Sequence, residues 1–347
     1  MRALQLTAWK SRPEFREVPD PDPGPGQVVL RVAAAGACHS DLHLMHDFDA
    51  GLLPYALPFT LGHENAGIVE VVGAGVEHLA PGEPVAVYGP WGCGRCRRCH
   101  QGAENYCARS AELGGAGGGL GFDGGMAPLM LVPQARWLVP LGDLDPVEAA
   151  PLTDAGLTPY HAIKRSLDLL HGGSTAVVIG AGGLGHLAVQ ILKATSAATV
   201  VAVDTKPEAL ELATAIGADH AVISDDTASA AIRDITRNEG VDLALDFVGV
   251  DSTMALAAQV SRPLAHVTVV GIGGGTYGFN FFSLPYEVSL ATTYWGTLPE
   301  LSEVLDLARR GFVKAHLQRF GLDEAINAYD ALSAGELQGR AVVVPSS

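Results

Sequence analysis

The sequence predicts an α/β protein that combines a doubly wound parallel sheet with a second, β-rich lobe. Residues 1–155 carry short apolar runs separated by turns rich in proline and glycine. From about residue 156 onward, strand patterns alternate with helical ones, as parallel βαβ units require. The chain has 347 residues, 48% of them hydrophobic and 17% charged, which is enough for two globular domains.

The β-rich lobe is indicated by alternating and continuous apolar runs. Val28, Leu30 and Val32 occupy alternate positions, as in a half-buried strand. Residues 68–72 and 85–88 form two further runs, and turn-forming stretches such as residues 19–27 separate these patterns. Short strands joined by such turns predict an antiparallel, barrel-like lobe over residues 1–155.

The second domain is predicted over residues 156–293. Its expected strands cover residues 175–180, 200–204, 243–248, 266–272 and 291–295. Its expected helices cover residues 184–195, 208–216 and 252–260. The remaining segment, residues 294–347, contains a helical pattern at 298–310 and a short strand pattern at 341–344.

The net charge of the chain and the spacing of its cysteines limit which binding partners and which kinds of site can be expected. The formal net charge is −16, and nucleic acid or an anionic membrane surface would repel such a chain. The first residues lack the long apolar core of a signal peptide, so we expect a cytoplasmic protein. Four of the five cysteines fall between residues 93 and 107, which points to metal binding or catalysis rather than disulfides.

A dinucleotide-binding fingerprint lies between a predicted strand and a predicted helix. Gly180, Gly182 and Gly185 have the G-x-G-x-x-G spacing. They permit a tight turn, a close approach to a pyrophosphate and close packing of helix on strand, respectively. The same spacing recurs at residues 119, 121 and 124, but no strand precedes it and no helix follows. We therefore interpret that copy as a flexible loop.

The predicted second strand of this domain indicates which cofactor is bound. It ends in Asp204, whose carboxylate is placed to accept hydrogen bonds from the adenosine ribose and would repel a 2′-phosphate. This favours NAD over NADP, although Lys206 could meet a phosphate. We also expect Gly183, Leu184, Phe247 and Val270 to contact the cofactor.

Two groups of residues have the character of metal ligands. Cys93, Cys96, Cys99 and Cys107 can close a tetrahedron around a structural zinc ion, and an iron–sulfur cluster is the alternative. Cys38, His63 and Asp154 offer a thiolate, an imidazole and a carboxylate, as a catalytic zinc site requires. The chain has 12 histidines, so spacing alone makes this second group only suggestive.

Taken together, these motifs give the chain a family resemblance. The GHE sequence at residues 62–64, the four-cysteine segment and the nucleotide fingerprint follow one another as in medium-chain zinc alcohol dehydrogenases. Residues 154–162 and 294–296 resemble segments of bacterial NAD-dependent secondary alcohol dehydrogenases. The resemblance implies a GroES-like catalytic domain over residues 1–155, with a structural zinc lobe at about 90–110. It also implies that residues 294–347 return to that domain.

The resemblance assigns roles to individual residues. It implies Cys38, His63 and Asp154 as ligands of a catalytic zinc, with Asp154 where many family members have a second cysteine. Zinc there would act as a Lewis acid on the alcohol oxygen. Glu64 would lie beside the metal, and Ser40 and His43 would carry the released proton to solvent.

Further residues are implied at the cofactor and in the substrate pocket. His39 and Arg340 match positions that contact the pyrophosphate, although either could equally be a solvent-facing charge. Tyr55, Tyr294 and Trp295 match pocket positions, although ordinary core packing would explain each of them equally well. An aromatic pocket favours apolar substituents on both sides of the carbinol carbon, and hence small secondary alcohols and ketones.

Three alternatives remain open at this point. A polyol or primary-alcohol dehydrogenase would share the metal and the nucleotide fold, but the apolar residues 50–61 do not suit extra hydroxyl groups. A zinc-free quinone reductase would lack Cys38 and His63. A non-catalytic NAD-binding sensor would not need an open metal site. The family also suggests a homodimer or homotetramer, for which the apolar segments at 264–272 and 290–296 could supply edge strands.

Overall fold

The structure is a computed structural model that describes residues 1–345. In chain order, its strands are β1 (Arg2–Leu6), β2 (Glu14–Glu17), β3 (Val28–Gly36), β4 (Phe59–Thr60), β5 (Glu64–Val72), β6 (Pro84–Val87), β7 (Gly117–Gly118), β8 (Gly121–Phe122), β9 (Leu129–Val132), β10 (Leu138–Pro140), β11 (Thr175–Ile179), β12 (Thr199–Asp204), β13 (His220–Ile223), β14 (Val241–Asp246), β15 (Ser261–Val269), β16 (Ser289–Thr292), β17 (Leu317–Gly321) and β18 (Arg340–Val344). In chain order, its helices are α1 (His39–His46), α2 (Arg97–His100), α3 (Pro146–Ala149), α4 (Leu157–Lys164), α5 (Gly185–Thr195), α6 (Pro207–Ala215), α7 (Ala228–Ile235), α8 (Asp251–Val260), α9 (Leu298–Arg309) and α10 (Ala325–Ser333).

These elements form two compact units. The first comprises Met1–Asp154, Trp295–Arg309 and the described residues from Ala315 onward. The second comprises Ala155–Tyr294 and Arg310–Lys314. The segment that the sequence analysis treated as a single continuation from residue 294 is thus distributed over both units.

One parallel sheet forms the centre of the second unit. Its strand order is β13-β12-β11-β14-β15-β16, and every neighbouring pair is parallel. Numbered by appearance, this is the order 3-2-1-4-5-6 of the doubly wound dinucleotide-binding fold. The five predicted strands and the helices α5, α6 and α8 are present, with bounds shifted by a few residues.

Strand β13 and the helices α4 and α7 of the second unit were not predicted. Strand β13 has four residues, of which only Val222 is buried, so it lacks an apolar run. In helix α7 only Ala228 and Ile232 are buried. Strand β13 is recognised by its pairing with β12. In α7, by contrast, Ala228, Ala231, Ile232 and Ile235 do have the spacing of one helical face, and all four pack against the core of this unit.

A larger, mostly antiparallel sheet forms the first unit. Its order is β10-β6-β5-β3-β18-β17, and β9 also pairs with β3. Strands β17 and β18 run parallel, whereas the other neighbouring pairs of this sheet are antiparallel, as expected. A smaller antiparallel sheet contains β2, β1 and β4. Leu4, Leu44, Phe59, Tyr329 and Val343 belong to one apolar core that joins β1, β4 and β18 to α1 and α10.

The segment that repeats the fingerprint spacing, at residues 119, 121 and 124, is packed against the rest of the first unit. The prediction that it forms a flexible loop was therefore wrong. Gly124 donates its N–H to the carbonyl oxygen of Thr60 at 2.8 Å. A Cβ atom at Gly119 or Gly124 would lie 2.3 or 2.1 Å from the carbonyl oxygen of Gly62. Glycine is needed here because two backbones meet directly beside His63, rather than because the chain must move.

Among residues 1–345, no helix combines the length and the apolar character needed to cross a membrane.

Candidate active site

Three predicted metal ligands, Cys38, His63 and Asp154, converge within the first unit. Their donor atoms all lie within 4.8 Å of one another. The Sγ atom of Cys38 is 3.8 Å from Oδ2 of Asp154, and Nε2 of His63 is 3.5 Å from the same oxygen. The structure thus brings together residues that spacing alone could not place in contact.

The elements of the first unit explain this convergence. Cys38 lies between β3 and α1, and His63 lies immediately before β5, the antiparallel neighbour of β3. Gly62 permits the turn into β5 because its φ of 91° falls in a region that other residues rarely adopt. Asp154 follows the 3₁₀ turn Ala150–Thr153, which packs against β5.

Asp41, a residue that the sequence analysis did not single out, holds two of these ligands in place. Its side chain is fully buried. Its Oδ1 lies 3.0 Å from Nδ1 of His63, and its Oδ2 accepts hydrogen bonds from the backbone N–H of Cys38 and the hydroxyl of Tyr329. A carboxylate at Nδ1 leaves Nε2 as the nitrogen that faces Cys38 and Asp154.

The electrostatics around His63 favour a positive ion. Burial alone would lower the pKa of His63, but the charges of Asp41 and Cys38 outweigh it and raise that pKa well above its ordinary value. Negative charges that stabilise a protonated imidazole in this way also attract a metal cation. The site therefore has the electrostatic character of a cation-binding centre.

Glu64 and Arg340 form a buried ion pair next to this centre. Nε of Arg340 donates to Oε2 of Glu64 at 2.9 Å, and Nη2 contacts the other carboxylate oxygen. Burial raises the pKa of Glu64 to about 7, against the opposing charge of Arg340. Only 2% of Arg340 is exposed, so the alternative of a solvent-facing charge at that position was wrong. A Cβ at Gly36 would lie 1.8 Å from Oε2 of Glu64, so the pair needs glycine there.

The chemistry of the donor set fits zinc. Thiolate sulfur, imidazole nitrogen and carboxylate oxygen are the three ligand types that zinc accepts. Three protein donors leave one position of a tetrahedron for another ligand, which is the arrangement of catalytic zinc sites. The Cys38, His63 and Asp154 group can therefore hold a zinc ion that remains accessible to substrate.

The predicted relay residues lie on α1, directly after Cys38. Ser40 is half-buried, with its Oγ 3.7 Å from the sulfur of Cys38. His43 is half-buried, stacks on Phe48 and has its Nδ1 2.5 Å from Oδ2 of Asp47. His39, predicted to contact a pyrophosphate, is exposed.

The three predicted pocket residues have different environments. Trp295 is buried, and its ring meets that of His63 edge-on, with centroids 5.8 Å apart and an interplanar angle of 87°. Tyr55 is half-buried and lies beside the rings of Trp9 and Phe59. Tyr294 belongs to the second unit and is 47% exposed. Within the first unit, Trp295 is the predicted pocket residue that contacts a metal ligand.

The four clustered cysteines form a second centre in the first unit. The sulfur atoms of Cys93, Cys96, Cys99 and Cys107 lie within 4.8 Å of one another, and none is in a disulfide. Backbone N–H groups of Cys99 and Ala108 lower the pKa of Cys96 to about 6, whereas burial raises that of Cys99 to about 12. A divalent cation would allow all four to be thiolates, so the cluster fits a closed tetrahedral zinc site.

A buried carboxylate, which the sequence analysis missed, fastens this cysteine lobe to the rest of the unit. Oε2 of Glu104 accepts the backbone N–H of Gly92 at 2.8 Å and the indole N–H of Trp137 at 3.0 Å. Its other oxygen pairs with the guanidinium of Arg136, which also donates to the carbonyl oxygen of Gly92. The only sequence signal that could have indicated this role is that Glu104 lies three residues before Cys107.

In the second unit, the nucleotide fingerprint has the geometry that its sequence predicted. Gly180 has a φ of 87°, and a Cβ at Gly185 would lie 1.9 Å from the carbonyl oxygen of Gly180. Gly182 is exposed, and a Cβ there would meet nothing within 4 Å, which leaves the approach to its backbone open. Gly183 and Leu184 complete the loop, and α5 begins at Gly185.

Asp204 lies at the carboxyl end of β12, next to this loop. Its Oδ2 accepts the backbone N–H of Ala181 at 2.8 Å, and its Oδ1 accepts that of Lys206 at 2.9 Å. Phe247 and Val270 directly follow β14 and β15. Because the carboxyl ends of parallel strands share one edge of a sheet, all these residues border the edge where such folds bind dinucleotides.

Comparison with known families agrees with both units. Residues 24–143 match the family described as the alcohol dehydrogenase GroES-like domain. Residues 183–310 match the family described as zinc-binding dehydrogenase. The first match falls in the unit that contains both candidate metal centres, and the second begins within the nucleotide fingerprint.

Individual proteins show the same likeness along the whole chain. An NAD-dependent alcohol dehydrogenase of Sulfurisphaera tokodaii is 36% identical, with 99% of this chain and 100% of that protein covered. A D-arabinose 1-dehydrogenase (NADP(+)) of Saccharolobus solfataricus is 32% identical, with 99% and 97% covered. The structure of acetophenone reductase from Geotrichum candidum, in complex with NAD, superposes with a TM-score of 0.86 at 32% identity, with 99% and 97% covered.

Proposed function

Because this chain belongs to the medium-chain, zinc-dependent alcohol dehydrogenases, we propose that it interconverts secondary alcohols and ketones at the centre formed by Cys38, His63 and Asp154. The family establishes the coarser activity: the protein is an NAD-dependent, zinc-dependent oxidoreductase of alcohols and ketones. The observation that carries the proposed site is the convergence of three different zinc donors within 4.8 Å.

In the proposed reaction, a secondary alcohol loses a hydride to NAD and a proton to solvent, which yields a ketone and NADH. When bound, the catalytic zinc ion supplies a Lewis acid that makes the alcohol more acidic. The protein's own residues determine where that ion is held. Asp41 fixes the orientation of His63, and the sheet formed by β3 and β5 keeps Cys38 beside it.

Proton release is assigned to α1. Ser40 is close to Cys38, and His43 lies one turn further along the helix. An imidazole exchanges protons near neutral pH, so His43 is suited to pass the proton to water. We assign Ser40 as the inner hydroxyl of this relay and His43 as its outer member.

The cofactor is assigned mainly to the second unit. The backbone of Gly182, Gly183 and Leu184 would receive the pyrophosphate at the start of α5. Asp204 would accept the ribose hydroxyls, and Phe247 and Val270 would line the cofactor's path at the ends of their strands. His39 and Arg340 are assigned to the pyrophosphate from the family resemblance alone, and Arg340 also pairs with Glu64.

Secondary alcohols are proposed as the substrate class because Trp295 and Tyr55 provide aromatic surface. The likeness to acetophenone reductase supports this choice, since acetophenone carries apolar groups on both sides of its carbonyl carbon. The likeness to a D-arabinose dehydrogenase supports the second candidate, a polyol or sugar dehydrogenase. Tyr294 is assigned as a substrate-pocket residue from the family resemblance alone.

A pair of enantiomers tests the proposed pocket. We expect one hand of 1-phenylethanol to be oxidised with a kcat/KM at least about tenfold higher, because a difference of about 1.4 kcal/mol in fit suffices. D-Arabinose serves as the comparison substrate. Equal rates for both hands, or faster oxidation of arabinose, would reject the aromatic, two-sided pocket.

We further propose that the enzyme is a cytoplasmic homo-oligomer, a dimer or tetramer, in which edge strands β16 of two subunits pair. The unpaired cysteines suit a reducing compartment. Strand β16 is the last strand of its sheet. The segment before it exposes Phe279, Phe281, Phe282 and Tyr286, and a second copy of the chain would cover both.

The main test follows NADH absorbance with 2-propanol before and after removal of the more exchangeable zinc with a chelator. We expect turnover with NAD, weaker turnover with NADP, loss of activity on chelation and recovery with zinc. Activity that survives complete zinc removal would contradict the proposed site. A fully zinc-loaded protein that turns over no member of an alcohol panel would favour the non-catalytic sensor.

A further inference from the structure

The indole of Trp295 is hydrogen-bonded to the segment that carries one of the proposed metal ligands. Its Nε1–H donates to the carbonyl oxygen of Thr153 at 3.2 Å. Thr153 immediately precedes Asp154, and the Trp295 side chain is only 5% exposed. Movement of this indole would therefore move the backbone that orients the carboxylate of Asp154.

Among the three proposed ligands, Asp154 has the least regular backbone support. Cys38 caps α1, and His63 leads directly into β5. Asp154 instead follows a short 3₁₀ turn, with φ −135° and ψ −62°, outside helix and strand geometry. The backbone itself restrains the preceding peptide only by one long hydrogen bond, from the N–H of Asp154 to the carbonyl oxygen of Pro151 at 3.4 Å, so a side-chain contact to the carbonyl oxygen of Thr153 adds a second restraint.

The same indole also contacts a second ligand. The rings of Trp295 and His63 meet edge-to-face at a centroid distance of 5.8 Å, a favourable arrangement for aromatic groups. Trp295 thus bridges His63 and the Asp154 segment, as Asp41 bridges His63 and Cys38. Together the two side chains connect all three ligands.

The surroundings fix the indole in place. Trp295 has a φ of 51°, an unusual value for a bulky residue that persists only where neighbouring contacts hold it. A Cβ at Gly89 would lie 2.2 Å from Cζ2 of the indole, so glycine leaves the space that the ring fills. The hydroxyl of Tyr88 donates to the carbonyl oxygen of Gly296 at 2.7 Å and fastens the next residue.

We propose that Trp295 is a positioning residue of the catalytic metal centre, beyond any role as a pocket wall. Its N–H holds the Thr153–Asp154 peptide, and its ring supports His63. The inference rests on the proposed assignment of Cys38, His63 and Asp154 as metal ligands. It assigns to Trp295 a contribution to metal binding that exists without substrate or cofactor.

The test replaces the catalytic zinc with Co²⁺ in the full-length protein and leaves the four-cysteine site loaded with zinc. The visible d–d spectrum and the Co²⁺ affinity, from competition with a chelator, are measured without NAD or alcohol. Trp295→Phe retains a ring but lacks the N–H. We expect it to bind Co²⁺ about tenfold more weakly and to shift the spectrum, the scale found when supporting partners of metal ligands are lost.

Trp91→Phe is the matched control. Trp91 is 4% exposed and donates the same kind of bond, from Nε1 to the carbonyl oxygen of Tyr88 at 2.8 Å. It contacts none of the segments that carry Cys38, His63 or Asp154 through that bond. Its Co²⁺ spectrum and affinity at the catalytic centre should match those of the unsubstituted protein.

If Trp295→Phe does not fold, benzothienylalanine at position 295 provides the isosteric variant, because sulfur replaces only the N–H. Unchanged Co²⁺ affinity and spectrum in a folded variant, with altered enantiomer preference, would overturn the positioning role and leave the proposed function intact. An unsubstituted protein that holds metal only at the four cysteines would instead overturn the proposed site, and this inference with it.

Discussion

At the scale of single residues, the candidate site depends on side chains that are not themselves metal ligands. Asp41 accepts hydrogen bonds from the backbone of Cys38 and from Tyr329, and it also lies against Nδ1 of His63. Its carboxylate thus serves three donors, which an amide with a single oxygen could not do. Position 41 is therefore expected to tolerate substitution as poorly as the position of a proposed metal ligand.

This reasoning predicts the effect of Asp41→Asn. The amide would place an N–H₂ group against at least one of the present donors and would remove a negative charge beside His63. We expect the catalytic zinc to be held about 10- to 100-fold more weakly, with a corresponding fall in kcat/KM at limiting zinc. Zinc retention during titration with a chelator measures the change.

Asp49→Asn is the control for that variant. Asp49 pairs with Lys10 at the surface and lies in the segment just after the same helix. It should leave zinc retention unchanged. Equal retention in both variants would show that Asp41 does not support the ligands.

The sequence allowed the ligands to be proposed but gave no indication of the side chains that support them. It was possible to predict a metal site at Cys38, His63 and Asp154 because the motifs around these residues resemble those of a known family. The supporting roles of Asp41 and Trp295 could not be derived in this way, although Trp295 was predicted as a pocket residue, because these roles consist of contacts between distant parts of the chain, such as Asp41 and Tyr329, 288 positions apart. No local pattern records a contact of that kind.

At the scale of elements, the four-cysteine lobe shows how a segment without much regular structure is kept in place. It contains one four-residue helix, α2, and short 3₁₀ turns. Glu104 binds the backbone of Gly92, at the start of the lobe, and also binds Arg136 and Trp137, which lie just before β10. The ring of Trp137 also stacks on that of Trp91, with centroids 4.8 Å apart.

We predict that Glu104→Ala destabilises the protein by about 3 kcal/mol, because it leaves buried N–H groups and a cation without their acceptor. The four-cysteine site should also lose its zinc at lower chelator concentration. Thermal unfolding and zinc stoichiometry are the measurements. Glu112→Ala, which removes an exposed ion pair with Arg109 in the same lobe, is the control and should change little.

A Glu104→Ala protein with unaltered unfolding and unaltered zinc content would contradict this account of the lobe.

The elements also show where periodicity succeeds and fails. Strand β11 was predicted because its sequence is a nearly continuous apolar run, and all five of its residues are buried, as a central parallel strand requires. Strand β13 was missed because it is short and largely exposed. The glycine segment at 114–125 was misjudged because composition cannot distinguish glycine that gives freedom from glycine that permits close packing.

At the scale of the whole molecule, the alternation of strands and helices was sufficient to predict the doubly wound sheet, and strand order 3-2-1-4-5-6 agrees with it. The chain's return from the second unit to the first could not be derived from periodicity. Strand β18 pairs with β3, and only long-range backbone pairing reveals this. The family resemblance anticipated the return.

The proposed assembly through β16 gives a prediction at this scale. Leu290→Lys places a charge on the outer strand at a residue that is 44% exposed in the single chain. We expect it to shift the enzyme towards a smaller species, because pairing would bury that charge. Light scattering coupled to size exclusion measures the mass.

Ile223→Lys is the matched control, since Ile223 is 41% exposed and lies on β13, the opposite edge of the same sheet. A variant at Leu290 that retains the mass of the unsubstituted protein, or an effect confined to Ile223, would rule out pairing through β16.

The pairing of β18 with β3 has a consequence for the biosynthesis of the enzyme. Arg340, the first residue of β18, neutralises Glu64, from which 276 positions separate it. On the ribosome, Cys38, His63 and Asp154 are therefore translated long before the cation that completes their surroundings. A nascent chain halted before residue 340 carries every proposed ligand yet lacks the cation that pairs with the carboxylate beside them, so we expect the surroundings of the proposed site to be complete only once Arg340 has been translated.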